Sequence, residues 1–307
     1  MVIGRFAPTP SGFLHPGNLL CAMIAYLSAR SQGGQFLLRI EDLDKPRCPA
    51  SLARQAIEDL TVLGFVWDAP PLYQSERTAF YEDAFQRLRE QGLVYPCFCS
   101  RASLHAAAAP NRGDRVIVYP GTCRNLTPGQ IEEKSLHKRP AWRFHSPERQ
   151  YTFSDRLQGA QKADLRQDVG DFILRRADGI YAYNLAVVVD DALSGVTEVV
   201  RGCDILGSTA AQMSLQEALG FSTPSYGHIP LLTDSRGVRL AKRDQSVSLA
   251  ALLQHASPQE ILGDLAASCG LLEAPRPITL EALIPLFSWD KLSRQDMSLP
   301  AALTSFS

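Results

Sequence analysis

Two segments near opposite ends of this chain combine residue types that could handle a nucleotide. Residues 6–18 form a turn rich in proline and glycine that contains His15, and residues 239–243, Arg-Leu-Ala-Lys-Arg, gather three cations. A turn that leads into a helix presents unpaired N–H groups and the positive end of the helix dipole to a phosphate. Cations on a short loop suit a triphosphate, because negative charge grows on the transferring phosphoryl group. Together the segments predict a pocket that holds ATP and activates a carboxylate; alone, each could be an ordinary turn or a solvated basic loop.

Three residues of the first segment are predicted to contact the nucleotide. Gly17 allows close approach of the backbone, and Asn18 is a favourable N-cap for the helix that follows. The His15 ring could donate a hydrogen bond to a phosphoryl oxygen, although a surface position for this ring is equally compatible with the segment. Lys242 of the second segment completes the predicted ATP-binding set.

Cysteines in the middle of the chain form a third group with possible chemistry. Cys97-Phe-Cys99 is followed by Tyr119-Pro-Gly-Thr-Cys123, and thiolates at this spacing can chelate one tetrahedral Zn²⁺. The residues alone leave the fourth ligand open between Tyr119, His105 and His137, of which histidine is the more usual donor. The alternative is that these are reduced thiols buried as small hydrophobic groups, which we expect for the remaining cysteines, Cys21, Cys48, Cys203 and Cys269.

The elements that would position these residues alternate between strands and helices. Apolar runs at residues 2–6 and 35–40 are typical of strands. Helical spacing predicts a helix over residues 19–31 between them and further helices over residues 50–63, 75–91, 208–219, 258–267 and 280–287. This alternation predicts an α/β fold, a Rossmann-like doubly wound parallel sheet with crossover helices. Ligands of such sheets bind at the carboxyl ends of the strands, where residues 5–15 and 41–44 fall.

Residues 97–168 break this alternation with scattered turns, cysteines and charges. We therefore predict a catalytic domain formed by residues 1–96 and 169–240. Residues 97–168 would be an inserted zinc-binding subdomain with little regular structure, and residues 241–307 a loop followed by a short helical C-terminal region.

Composition excludes several classes of protein. The 307 residues are 45% hydrophobic with a formal net charge of −1, so any contact with RNA would need a local basic patch. No apolar run approaches the ~18 residues of a membrane span, and the N-terminus has no apolar signal sequence. The seven cysteines are odd in number and unevenly spaced, which argues against a disulfide framework. We expect a cytoplasmic protein of about two domains, with no membrane partner.

Five blocks of the sequence resemble the class I aminoacyl-tRNA synthetases of the glutamyl type. Residues 7–18 resemble the HIGH segment of that family and residues 239–243 its KMSKS loop, and residues 39–44, 183–191 and 200–204 match in the family's order. HIGH appears here as His15-Pro-Gly-Asn, and the loop has Arg239, Ala241 and Arg243 where the family favours Lys, Ser and Ser. Because Lys242 is kept, the resemblance implies that catalysis depends on His15 and Lys242.

The resemblance also implies a glutamate pocket. Free glutamate carries two carboxylates and one ammonium, so a selective pocket needs about two cations and one anion. The family pattern implies Arg5 and Arg201 as carboxylate partners and Glu41 as the ammonium partner. The rest of the implied set is Phe6, Ala7, Pro8, Thr9 and Tyr183. Without the resemblance, the two arginines could be surface residues and Glu41 could pair within its own acidic turn.

The cysteine pattern is similar to that of one subfamily, whose members glutamylate queuosine in tRNA(Asp). This similarity implies Cys97, Cys99, Tyr119 and Cys123 as the four ligands of one Zn²⁺ per chain. Four protein ligands leave no position open for water, so the implied site is structural.

Residues 244–307 predict short helices, too few for the anticodon-binding domain of a conventional glutamyl enzyme, and the subfamily is short in the same way. The resemblance therefore implies an enzyme that activates L-glutamate with Mg²⁺ and ATP, without RNA, and transfers it to queuosine in the anticodon loop of tRNA(Asp). We expect a monomer. Candidate phosphate contacts are the basic residues Arg112, Arg115, Arg124, Lys138 and Arg139, although each alone could be solvated surface charge. Two alternatives remain: a conventional glutamyl-tRNA synthetase, and a synthetase-like RNA-binding protein without chemistry. The retained His15, Glu41 and Lys242 argue against the second alternative, while the altered loop leaves it open.

Overall fold

A computed structural model describes residues 1–100, 118–233, 248–300 and 303 of the chain. Its strands, in chain order, are β1 (Ile3–Phe6), β2 (Gln35–Ile40), β3 (Leu72–Tyr73), β4 (Val94–Cys97), β5 (Ala141–Phe144), β6 (Gln150–Asp155), β7 (Gly159–Asp164), β8 (Ile173–Arg175), β9 (Glu198–Gly202), β10 (Ser225–Ile229), β11 (Leu232–Thr233) and β12 (Met297–Ser298). Its α-helices are α1 (Pro16–Ser31), α2 (Ala50–Val62), α3 (Thr78–Glu90), α4 (Pro128–His137), α5 (Tyr183–Leu193), α6 (Thr209–Leu219), α7 (Leu249–Leu252), α8 (Pro258–Ser268) and α9 (Leu280–Leu283).

Two groups of parallel strands lie at the centre of the fold. β2 pairs with β1 and β3, and β10 pairs with β9 and β6. The two groups meet at Ile3, whose carbonyl accepts a hydrogen bond from the Thr197 N–H at 2.9 Å and whose N–H donates to Thr197 Oγ1 at 2.9 Å. The predicted α/β fold with a parallel, Rossmann-like sheet is confirmed.

Residues 97–168 contain more regular structure than the sequence predicted. α4, β5, β6 and β7 all lie in this range. β6 and β7 form a hairpin, and Asp155 at the end of β6 pairs with Tyr226 of β10. The central sheet therefore continues across the predicted boundary at residue 168. The prediction of little regular structure was wrong because this hairpin is exposed on one side, where polar and charged residues replace the apolar run of a buried strand.

Helix α1 is the most deeply buried element near the predicted nucleotide segment. Its residues from Leu19 to Ala29 are mostly buried, and it packs against β1, β2 and β9. The C-terminal region closes over its far end, where Trp289 Nε1 donates a hydrogen bond to Ser28 Oγ at 3.2 Å. The same indole covers Gly227 of β10, where an added Cβ would lie 2.4 Å from the ring. The C-terminal region is thus part of the same packed body as the central sheet.

Some predicted functional residues lie outside the described part of the chain. They are Lys242 with the rest of residues 239–243, and also His105, Arg112 and Arg115. In the ranges that are described, no helix is long and apolar enough to cross a membrane.

Candidate active site

A cleft of about 570 Å³ opens at the carboxyl ends of β1, β2, β9 and β10. It is lined by ten of the residues predicted to bind glutamate or ATP, namely Phe6, Ala7, Pro8, Thr9, His15, Gly17, Asn18, Glu41, Tyr183 and Arg201. Among the described residues of that predicted set, Arg5 alone does not line it. Strand ends that come from both halves of the sequence therefore bring the predicted residues together, as expected for an open parallel sheet.

The nucleotide segment ends in the N-terminus of α1, which points into this cleft. The helix begins at Pro16, and proline suits the first helical position because its missing N–H has no partner there. The N-cap is His15, so the prediction of Asn18 as the N-cap was wrong. Asn18 is instead the third helical residue, and its side chain accepts from the His15 N–H at 3.3 Å to complete a capping box.

This cap determines which nitrogen of His15 carries the proton. His15 Nδ1 accepts a hydrogen bond from the Gly17 N–H at 3.2 Å, so Nδ1 is unprotonated in the neutral ring. The proton then lies on Nε2, where it can be donated to a phosphoryl oxygen. Gly17 leaves room for this ring, because a Cβ at that position would lie 3.0 Å from His15 Cε1.

The anionic wall of the cleft is Glu41, directly after β2. Its Oε2 accepts from Thr9 Oγ1 at 3.3 Å, and its Oε1 lies 3.2 Å from Arg39 Nη2. Burial raises the pKa of Glu41 above its ordinary value, and the nearby charges of Arg39 and Arg5 only partly oppose that effect. A further cation in the cleft would stabilise the ionised form.

Arg5 lies behind the cleft wall. Its Nε donates to Asp191 Oδ1 at 3.0 Å and its Nη1 to the Val200 carbonyl at 3.3 Å. Asp191 also accepts from Arg39 Nη1 at 2.5 Å. Burial alone would raise the pKa of Asp191, but the charges of Arg39 and Arg5 hold it below its ordinary value. Arg5 and Arg39 are therefore joined through one buried carboxylate.

Among the described residues that line the cleft, Arg201 on β9 is the one arginine or lysine. It is 5% exposed and donates three hydrogen bonds to side chains. The acceptors are Gln212 Oε1 at 2.6 Å, Thr209 Oγ1 at 2.9 Å and His228 Nε2 at 2.9 Å. None of these three partners carries a negative charge, so the positive charge of Arg201 stays available to a bound anion.

Several residues that hold this site had no predicted role, among them Arg39, Asp155, Asp191, Thr209, Gln212 and His228. The sequence could have indicated a buried, paired carboxylate at Asp191. This residue ends an otherwise apolar helical run, Leu-Ala-Val-Val-Val-Asp-Asp, and a charge buried on such a helix needs a partner. Asp155 and His228 had no such signal, since their contact joins β6 to β10 across a long stretch of sequence.

The predicted metal ligands form a compact cluster at the end of β4. The sulfur atoms of Cys97, Cys99 and Cys123 all lie within 4.8 Å of one another. The Tyr119 hydroxyl lies 3.4 Å from Cys97 Sγ and 3.7 Å from Cys99 Sγ, and Cys99 Sγ lies 3.7 Å from Cys123 Sγ. These four atoms could hold one metal ion.

The spacing of the cluster fits zinc. A tetrahedral Zn²⁺ with Zn–S bonds of about 2.3 Å and a Zn–O bond of about 2.0 Å separates two sulfurs by about 3.8 Å and sulfur from oxygen by about 3.5 Å. The observed distances are close to both values. The guanidinium of Arg143 lies 3.8 Å from the centre of the Tyr119 ring, where its charge would offset that of thiolate ligands. His137, the other described candidate, is the last residue of α4 and is not part of the cluster.

The four cysteines predicted to be reduced small hydrophobic groups are thiols that form no disulfide. Cys48 and Cys269 are buried, while Cys21 and Cys203 are partly buried. Burial raises the pKa of Cys21 and of Cys269 to about 12, so both stay protonated near neutral pH. The thiol character of these residues agrees with the prediction.

Two of the described candidate RNA contacts are engaged within the protein. Arg124 forms an ion pair with the buried Asp171 at 2.7 Å, and Lys138 Nζ donates to the Phe98 carbonyl at 2.8 Å. Arg139 is exposed.

Comparison with known proteins finds a matching family model and similar proteins among the synthetases. The family described as tRNA synthetases class I (E and Q), catalytic domain, matches residues 1–268. The chain is 46% identical over 313 residues to the glutamyl-Q tRNA(Asp) synthetase of Symbiobacterium thermophilum, which covers 98% of this chain and 97% of that protein. The protein of the same name from Geobacter sulfurreducens is 49% identical over 251 residues, 81% of this chain and 78% of that one.

A solved structure with the same fold is the glutamate-tRNA synthetase of Elizabethkingia anophelis. Its TM-score with this chain is 0.84 at 25% sequence identity, and the match covers 98% of this chain and 68% of that one.

Proposed function

Because the chain belongs to the class I tRNA synthetases (E and Q), and among them to the glutamyl-Q tRNA(Asp) synthetases, we propose that it activates L-glutamate with ATP and transfers it to queuosine in tRNA(Asp). The observation that carries this proposal is the cleft, in which ten predicted ligand-binding residues meet. The names of the relatives support the choice of RNA. The proposed site of action is the cytoplasm, and the proposed active form is the monomer.

The glutamate end of the proposed site uses Glu41 and Arg201. The buried Glu41 carboxylate would pair with the substrate ammonium, and the Arg201 guanidinium with a substrate carboxylate. Tyr183, 37% exposed at the cleft, and Thr9 would add hydrogen bonds. Arg5 does not line the cleft, so we assign it a supporting positive charge behind the wall.

In the first proposed step, a carboxylate oxygen of glutamate attacks the α-phosphorus of ATP. A P–O bond forms, the bond to the leaving pyrophosphate breaks, and glutamyl-adenylate results. His15 Nε2–H and the N-terminus of α1 would stabilise negative charge on the phosphoryl oxygens. Lys242, which lies outside the described residues, is proposed to act on the same charge. Bound Mg²⁺ would neutralise part of the phosphate charge. The attacking carboxylate is already ionised, so no general base is needed.

In the second step, a hydroxyl of queuosine attacks the activated carbonyl and an ester bond forms. The bond between the carbonyl carbon and the phosphate oxygen breaks, AMP leaves, and the hydroxyl proton is released to water. The anticodon loop of tRNA(Asp) would have to reach the open side of the cleft. Exposed cations such as Arg139 are available for phosphate contacts.

We assign a structural role to the proposed zinc ion. Cys97, Cys99, Tyr119 and Cys123 would hold it, and a bound metal would cross-link β4 to the segment before α4. Elemental analysis of the purified protein should find about one zinc per chain.

The proposed first step is tested by glutamate-dependent exchange of pyrophosphate into ATP without RNA. Glutamine and aspartate are the matched controls, since neither offers the same charges at the same spacing. Exchange with glutamate alone supports the proposal, and a complete lack of exchange would favour a protein that binds RNA without chemistry.

The RNA substrate is tested by transfer of labelled glutamate to purified tRNA. Label on tRNA(Asp) that contains queuosine, and none on the same tRNA without queuosine, is the expected result. The structural likeness to glutamate-tRNA synthetase favours a second candidate, charging of a 3′ end. Label on tRNA(Glu) would support that candidate instead.

A further inference from the structure

Arg201 is held in place by a buried pair of residues that do not line the cleft. His228 Nε2 accepts from Arg201 Nε at 2.9 Å, and His228 Nδ1 lies 2.6 Å from Asp155 Oδ2. A guanidinium has donors only, so Nε2 must be the acceptor in this contact. The ring proton therefore lies on Nδ1 and is donated to the Asp155 carboxylate.

We propose that His228 and Asp155 are positioning residues for Arg201, which together fix one neutral tautomer of the imidazole and so aim the guanidinium at the bound substrate. This inference rests on the proposed function, in which Arg201 binds a carboxylate of glutamate. It adds a specificity element to that site, located one layer behind the cleft.

The carboxylate that sets the tautomer is itself immobilised. Asp155 Oδ1 accepts backbone hydrogen bonds from Leu157 at 3.0 Å, Gln158 at 2.9 Å and His228 at 3.1 Å. The side chains of Asp155 and His228 are both 0% exposed. β6 and β10 are paired at this point, so the backbone fixes the distance between the two side chains. Such burial and bonding leave Arg201 little freedom to turn away.

The neutral His228 ring holds the Arg201 guanidinium by a hydrogen bond and brings no negative charge to it. The positive charge of Arg201 is therefore not compensated by this partner. The groups that face His228 are Asp155 on β6, Arg201 on β9, the Thr209 hydroxyl at 3.4 Å from Nε2 and the Tyr226 ring at 6.1 Å. The Cys203 thiol and the Gln158 amide donate to its carbonyl, and the charge of Arg5 acts from farther away. Burial lowers the pKa of His228, Asp155 opposes this effect, and the charge of Arg201 adds to it. A second proton on Nε2 would face the Arg201 N–H, so the contact would be lost as pH falls through this lowered pKa.

Asp155→Asn is the sharpest test, because it changes one atom. The retained amide oxygen can keep the backbone hydrogen bonds, while the new N–H₂ would donate to His228 Nδ1 and move the ring proton to Nε2. That proton would then oppose the Arg201 N–H. We expect the KM for glutamate to rise about 10- to 100-fold, the usual effect of losing one hydrogen bond to a charged group, with the KM for ATP unchanged.

Two replacements of His228 separate positioning from packing. The amide oxygen of His228→Gln can reach the place of Nε2 and accept from Arg201, whereas the shorter His228→Asn can reach only the place of Nδ1. We expect His228→Gln to stay within about 3-fold of wild type in glutamate KM and His228→Asn to show the 10- to 100-fold rise. His137→Asn, an exposed position on α4, is the matched control.

The experiment is RNA-free exchange kinetics on these variants, with thermal unfolding to confirm that each is folded. A higher KM for glutamate in Asp155→Asn and His228→Asn, together with a KM near that of wild type in His228→Gln, supports the inference. If Asp155→Asn does not fold, the two His228 variants decide it. Unchanged glutamate KM values in an active protein would overturn it.

Nitrogen NMR of ¹⁵N-histidine-labelled protein keeps the test independent of activity. His228→Gln identifies the signal of His228 among the six histidines. A proton on Nδ1 in the wild type supports the inference and a proton on Nε2 overturns it. Lack of exchange in the wild type would count against the proposed function, and the NMR result would still decide the positioning.

Discussion

The two carboxylates that share Arg39 have opposite properties although both are buried. Asp191, at the end of α5, accepts from Arg5 and Arg39, which hold its pKa below the ordinary value despite burial. Glu41, on the cleft side of the same arginine, has a pKa that burial raises. The arginines thus more than offset the cost of burying the Asp191 charge, but they offset only part of that cost for Glu41.

This difference indicates that the Asp191 charge is structural and that the Glu41 charge can bind a ligand. Asp191 lies behind the cleft and fixes Arg5 and Arg39, so its charge is already compensated. Glu41 lines the cleft, where a further cation would stabilise its ionised form. The ammonium of the proposed substrate supplies such a cation. Four predictions test this comparison, in order of expected effect.

Asp191→Asn should have the largest effect on stability. Removing the carboxylate leaves Arg5 and Arg39 buried without their shared anion, which typically costs about 3–5 kcal/mol of unfolding free energy. Urea unfolding measures this change. Asp178→Asn is the control, because Asp178 pairs with Arg176 at the surface and such pairs contribute about 0–1 kcal/mol. A loss of under 1 kcal/mol in Asp191→Asn would contradict the structural role.

Lys242→Ala tests whether activation with ATP can be impaired without affecting the buried charges of Arg39, Glu41 and Asp191. Loss of one cation that stabilises the transition state should lower the glutamate-dependent exchange rate by about 10²-fold. Since the predicted action of Lys242 is on the phosphates, the KM for glutamate and the unfolding free energy should stay the same. Equal exchange rates for variant and parent would remove Lys242 from the catalytic set.

Glu41→Gln should show the reverse of the Asp191 result. Loss of the partner of the substrate ammonium should raise the KM for glutamate by about 10- to 100-fold. The unfolding free energy should not fall, because burial already disfavours the ionised carboxylate that is removed. A large loss of stability would show that Glu41 is as structural as Asp191.

The pH dependence of stability gives the smallest effect, with a different sign for each residue. The contribution of Asp191 is present above its unfolded pKa of about 3.9 and is lost as pH falls through its lowered folded pKa. The folded pKa of Glu41 is raised, so its contribution is most favourable below the unfolded value of about 4.3 and is lost as pH rises through the folded pKa. We expect urea unfolding between pH 7 and pH 3 to show two opposite trends. As the pH falls, the unfolding free energy of the parent should rise relative to that of Glu41→Gln. It should fall relative to that of Asp191→Asn. Parallel profiles would contradict the assignment.

The fold was predictable where local pattern and burial agree. β2 has its predicted bounds, and α3 and α6 lie within a few residues of theirs, because apolar runs and helical spacing record burial directly. The β6–β7 hairpin was missed because one of its faces is exposed, and an exposed face places few constraints on residue type. The start of α1 was predicted three residues late, since a proline and a glycine hid the first helical turn.

Some features of the candidate site were likewise predictable from local sequence, and others were not. Residue types at short spacing were enough to indicate the turn proposed to bind phosphate and the cysteine cluster, because neighbouring residues carry the chemistry in both. The proposed glutamate pocket was reached only through family resemblance, and the support of Arg201 by His228 and Asp155 was not predicted at all. Asp155, Arg201 and His228 come from three separate strands, and only strand pairing brings them within hydrogen-bond distance. The sequence therefore determined which charged groups are present, and the tertiary structure decided which charges are compensated, because compensation depends on distances that local sequence does not contain.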